Sequence, residues 1–105
     1  MPRAPHAHVL LAAGDDTVRE RRAAQLTSAG LQVSVAATGF QAIVKASCHL
    51  PDIILLDPSL GNADLDATRA LLATCPVTAH IPVVSLRRGR AVPRSVVNAL
   101  ASRAL

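Results

Sequence analysis

Apolar residues in this chain gather into short compact runs separated by longer, sparser stripes. His8 to Ala13, Ile53 to Leu56 and Ile81 to Leu86 are the compact runs, and Leu31 to Ala36 alternates apolar with polar. Short Val/Ile/Leu runs read as strands buried on both faces, as in a parallel sheet covered by helices, whereas alternation reads as a half-buried edge strand. Between them the spacing predicts helices. From Thr17 to Ala29, Val18, Arg22, Ala23, Leu26 and Ala29 form a thin stripe, Arg19, Arg21 and Arg22 are available to solvent, and Gly30 ends the helix as a C′ glycine. Thr38 caps a second helix over Phe40 to His49, with Phe40, Ile43, Val44 and Cys48 on one face. After a loop from Pro58 to Ala63, Asp64 caps a third helix over Leu65 to Thr74. Pro93 opens a terminal helix whose face is Val96, Val97, Leu100 and Ala104. Met1 to Ala7 reads as a flexible Pro-containing tail to a single domain spanning 1–105. The order βαβαβαβα, with right-handed crossovers, gives an α/β fold with a doubly wound parallel sheet.

That fold says where to look for chemistry. Ligands of open α/β sheets collect outside the carboxyl ends of the strands. The run Ile53 to Leu56 ends in Asp57, and the first strand is followed by Gly14-Asp15-Asp16, so adjacent parallel strands would bring three carboxylates to one edge. The bland alternative is that these acids only cap helices and end strands.

Composition narrows the partners. Half of the 105 residues are apolar but Phe40 is the only aromatic, so the core must be Ala, Val, Leu and Ile. The formal charge is +4, and Arg supplies every cation except Lys45. Nucleic-acid binding through Arg87, Arg88 and Arg90 is disfavoured by the near absence of stacking residues and of any recognition-helix motif. Cys48 and Cys75 have no second Cys at metal-ligand spacing and read as two buried, reduced thiols on helices. His6, His8, His49 and His80 are scattered. The first apolar run is too short to span a membrane, and the expected location is the cytoplasm.

The acidic pair after the first strand, Gly39 opening the second helix, Pro51-Asp52 before an apolar strand, Asp57 at its end and the Pro82-Val83-Val84 strand together resemble the receiver domain of two-component response regulators. The resemblance implies a flavodoxin-like sheet, here lacking the family's last strand and helix. It implies a phosphoprotein with Asp57 as phosphoacceptor, and Mg²⁺ held by Asp15, Asp16, Asp57 and the backbone carbonyl of Ser59. It further implies a histidine kinase or phosphotransfer protein as partner, and no enzymatic activity beyond self-catalysed phosphoryl transfer. The chain departs from the family at several points: Arg87 and Arg88 occupy the switch position where a Thr or Ser hydroxyl is usual, Ser85 lies two positions too early, Gly61 replaces a usual proline, and the family's partner lysine is missing. Arg87 is expected either to pair with Asp57 in that lysine's stead or to stand as a solvated loop arginine. The alternative function is a degenerate pseudo-receiver acting as a phosphorylation-independent dimerisation or protein-interaction module. With no fifth strand, the edge of the fourth strand and a strip over Val9, Leu11 and Ile54 or Leu56 should be uncovered, which predicts a homodimer through the fourth strand or terminal helix. Otherwise the terminal helix folds across and covers the strip itself.

Overall fold

The computed structural model describes residues 7–103. Four strands, β1 (His8–Ala12), β2 (Gln32–Ala36), β3 (Ile53–Leu56) and β4 (Val83–Ser85), form one sheet in the order β2-β1-β3-β4, all neighbours parallel. Four helices alternate with them: α1 (Asp16–Ser28), α2 (Gly39–His49), α3 (Asn62–Thr74) and α4 (Arg94–Arg103). Asp57 carries the chain from β3 into a short 3₁₀ turn, Pro58–Leu60, inside the stretch expected to be loop.

The central strands are buried on both faces because both faces are covered. Val9, Leu11, Ile53 and Leu55 join Leu26 of α1 and Leu100 of α4 in one cluster. Leu10, Ala12, Ile54 and Leu56 join Ala42 and Ala46 of α2 and Leu72 of α3 in the other. The uncovered strip expected from the sequence is therefore not there: Val9, Leu11, Ile54 and Leu56 are fully buried. Val96, Val97 and Leu100 fold α4 across the α1 side of the sheet, so that strip is covered within one chain, while β4 remains an edge strand.

Several local expectations are corrected. Phe40 is 75 % exposed, and Val44 and Cys48 are also exposed. The buried stripe of α2 is Gly39, Ala42 and Ala46, small residues that let the helix approach its neighbours closely. A Cβ on Gly39 would collide with Thr68 Oγ1 and Asp64 Oδ1 of α3. Asp64 is not the cap of its own helix, which starts after Gly61 at Asn62; its Oδ2 accepts from Gly39 N at 3.0 Å and so serves the start of α2, beside the Thr38 cap. Cys75 lies just past α3 and is only partly buried, so neither thiol is in the core; both are free. Gly30, at φ 89°, does end α1 as expected. Ala7 is buried and its carbonyl accepts from Gln32 N at 3.0 Å, so it belongs to the sheet; the rest of the expected tail, with His6, lies outside the described residues, as does Ala104.

Candidate functional site at the carboxyl end of the sheet

Asp57 stands at the carboxyl end of β3, where its amide donates to Ala12 O at 2.9 Å. Only 3 % of it is exposed. A carboxylate desolvated to this degree is stable only when paired and hydrogen-bonded. Its Oδ2 accepts from Ser59 N at 2.8 Å, which caps the 3₁₀ turn, and its Oδ1 accepts from Arg22 Nε at 2.6 Å. Arg22 is itself 5 % exposed. Its Nη1 donates to Arg90 O at 2.7 Å and its Nη2 to Arg87 O at 2.8 Å. One guanidinium thus joins α1, the end of β3 and the connection from β4 to α4.

Of the two readings of Arg87, the solvated one holds: Arg22, not Arg87, pairs with Asp57. Arg22 lies one turn after Val18 and one before Leu26, on the inward stripe of α1, and its long side chain runs beside the sheet to the Asp57 edge. Arg87 is exposed and gives the site its carbonyl. The position in the helix stripe was the available signal; it was outweighed by the general rule that arginine faces water.

The other expected ligands are brought near the site without converging on it. Ala13, the residue after β1, is fully buried, and the acids come only two and three positions further along the chain. Asp15 is the N-cap of α1, its Oδ1 accepting from Val18 N at 2.9 Å. The side chain of Asp16 is exposed and pairs with Arg19 at 2.5 Å. Ser59 Oγ accepts from Gly14 N at 2.9 Å and Asp15 N at 3.2 Å. The Ser59 carbonyl is pressed against Gly14, where any Cβ would collide with it. Among the described residues no group of three or more His, Cys, Asp or Glu is placed to hold a metal ion. The donor set expected for Mg²⁺ does not fit this arrangement: Asp57 is already neutralised by a cation, and Asp15 and Asp16 have other partners.

Beside Asp57 opens a cavity of about 360 Å³, lined among others by Gly14, Asp15, Arg22, Ser59 and Arg88. Arg88, one of the two residues at the switch position, therefore faces the site. Ser85 does not line it, and its hydroxyl accepts from Arg69 of α3 instead.

No protein-family model matches the sequence. The response regulator PleD of Caulobacter vibrioides is 43 % identical over 61 residues, covering 58 % of this chain and 13 % of that protein. The solved structure of the chemotaxis response regulator CheY4 of Vibrio cholerae superposes with a TM-score of 0.75 at 17 % identity, over 95 % of this chain and 99 % of that one. A response regulator from Chloroflexus aurantiacus gives 0.71 at 28 % identity, over 92 % and 79 %. The chain has the fold of response-regulator receiver domains. The receiver sheet puts Asp57 at its carboxyl edge, beside the point where β1 and β3 diverge to opposite crossovers. The chain spans only a small part of the length of its curated relative, PleD. None of its described helices is long and apolar enough to cross a membrane.

Proposed function

We propose that this domain receives a phosphoryl group on Asp57 from a histidine kinase or phosphotransfer protein and so acts in two-component signal transduction. The observation that carries this reading is one buried carboxylate at the carboxyl end of a central strand, lining an open cavity and held between a cation and a backbone amide. A carboxylate so placed is a positioned nucleophile. In the reaction a carboxylate oxygen of Asp57 forms a bond to phosphorus as the P–N bond of the donor phosphohistidine breaks. That bond's electron pair stays on the imidazole nitrogen, which leaves as neutral imidazole after taking up a proton. Arg22 and the Ser59 amide are the donors next to the charge that builds up on the transferred group.

The test is incubation with acetyl phosphate or a phosphorylated histidine kinase, followed by intact-mass analysis. Wild type should gain one phosphoryl group and Asp57→Asn none. Absence of the adduct, or its persistence in Asp57→Asn, overturns the proposal; the first of these results would favour the interaction-module reading.

A further inference from the structure

We infer that Arg22 is the resident cation of the Asp57 site and excludes a divalent metal from it. This rests on Asp57 being the site's reactive carboxylate. A buried carboxylate has two routes to neutrality, an ion pair or a bound metal, and here the first is complete. The guanidinium meets Asp57 Oδ1 with Nε and the carbonyls of Arg90 and Arg87 with its two terminal nitrogens. Among the described residues no buried side-chain nitrogen or oxygen lacks a partner, so the pair leaves no polar group asking for another ligand. Its geometry is fixed from three sides: α1 carries the arginine, β3 the carboxylate, and the β4 to α4 connection the two carbonyls.

A divalent cation at Asp57 would have to sit beside a fixed positive charge. Asp15, on the wall of the same cavity, and Asp16 are engaged only by an exposed helix cap and a surface pair, contacts a cation can displace once Arg22 no longer neutralises Asp57. Arg88, on the wall of the same cavity, adds a further positive charge. Electrostatically the site suits an anion approaching a neutral pair better than a metal approaching a carboxylate cluster. Arg22 is a positioning residue in this scheme: it supplies the counter-charge and holds Asp57 in one orientation.

Thermal melts of the full chain with and without about 10 mM Mg²⁺ test the inference, since a millimolar site with retained waters would be filling there. Wild type should not shift. Arg22→Gln, which frees the carboxylate, should gain about 4–8 °C from the cation once it exceeds its Kd several-fold. Arg22→Gln combined with Asp57→Asn should gain nothing. Wild type stabilised by Mg²⁺ as much as Arg22→Gln would overturn the inference. So would an Arg22→Gln variant that folds and does not respond. If Arg22→Gln does not fold, Mn²⁺ titration of wild type followed by NMR decides: unbroadened Gly14 and Ser59 amides support the inference, and selective broadening of those amides overturns it. Neither measurement uses a phosphoryl donor, so a failure here is separate from a failure to label Asp57.

Discussion

The two ends of the sheet are built from the same strands and hold their polar groups in opposite ways. At the carboxyl end a charged pair is fully buried, and Arg22 reaches from α1 to β3 and on to the backbone at Arg87 and Arg90. Gln25, one turn further along α1, exchanges two hydrogen bonds with the Val92 backbone, at 3.2 and 3.3 Å. At the amino end His8 is half-buried. Its amide donates to Asp52 Oδ2 at 2.7 Å, its Nε2 shares a 2.7 Å hydrogen bond with Ser34 Oγ, and its ring meets His49 edge-on. Those contacts tie β1 to its immediate neighbours and to the end of α2. The carboxyl end therefore joins α1, β3 and the β4 to α4 connection through one charge, whereas the amino end joins β1 to its neighbours and to the end of α2 through several smaller contacts. Arg22 thus links Asp57 directly to the backbone of the β4 to α4 connection.

The comparison breaks first at Arg22. Arg22→Met keeps much of the apolar stem but leaves the Asp57 charge buried with no counter-ion, which costs about 3–5 kcal/mol. That is a large share of the roughly 5–15 kcal/mol that holds a small domain together. Urea denaturation should show this loss, and adding Asp57→Asn should recover a good part of it, because the uncompensated charge is gone. If the double variant is as unstable as the sum of the singles, the two residues are not coupled and the contrast between the ends loses its basis.

Gly14→Ala attacks the same end through packing. The added methyl would meet the Ser59 carbonyl, a backbone atom that cannot rotate away, so the 3₁₀ turn after Asp57 must shift. Overpacking of this kind costs about 1–3 kcal/mol. The chemical shifts of Ser59 and Leu60 should move with the loss of stability, and an unperturbed turn would show that the close approach is not needed.

The fold was readable because strand and helix periods differ and every run here obeys one of them; Ile53 to Leu56, closed by Asp57, marks the site edge in the chain's own pattern. Two things were hidden. Gly39, Ala42 and Ala46 carry little hydrophobic weight, so Phe40 and Val44 drew the buried face of α2 to the wrong side. Small residues matter there through how closely they allow backbones to approach, which a hydrophobicity pattern does not record. Arg22 was hidden by the opposite prejudice, since a charge on a helix usually faces water, and only its position between Val18 and Leu26 hinted otherwise. Asp15 and Asp16 were placed on the correct edge, but they follow buried Ala13 and then Gly14, where they cap α1 and pair with Arg19 instead of converging on Asp57.

Gln25→Ala sharpens the comparison at lower cost. Its two hydrogen bonds are long, and losing them should cost about 1 kcal/mol. Hydrogen exchange should quicken at Val92, whose amide loses its acceptor, while the amide of Asp52, held by the His8 carbonyl at the other end, stays as slow as in wild type. Equal quickening at both ends would mean that the domain opens as one unit.

The smallest effect belongs to His8. Burial lowers its pKa below the ordinary imidazole value of about 6.5, the His49 ring lowers it further, and Asp52 opposes both. In the window from that value down to the folded one, the unfolded chain binds a proton that the folded chain refuses. Stability therefore falls as pH drops through about 6.5 and levels off below the folded pKa. The neutral His8→Gln variant removes this contribution, so the stability advantage of wild type over it should shrink as the pH is lowered from 7.5 towards 5.5, values chosen to bracket the lower side of an unperturbed imidazole (roughly 6.5). The difference between the two proteins matters here, because His49 and the carboxylates are present in both. A wild-type advantage that stays constant or grows on acidification would show that the His8 ring is not held neutral by its burial. The amino end would then need a charge-based account of its own, like the one given for Arg22 and Asp57.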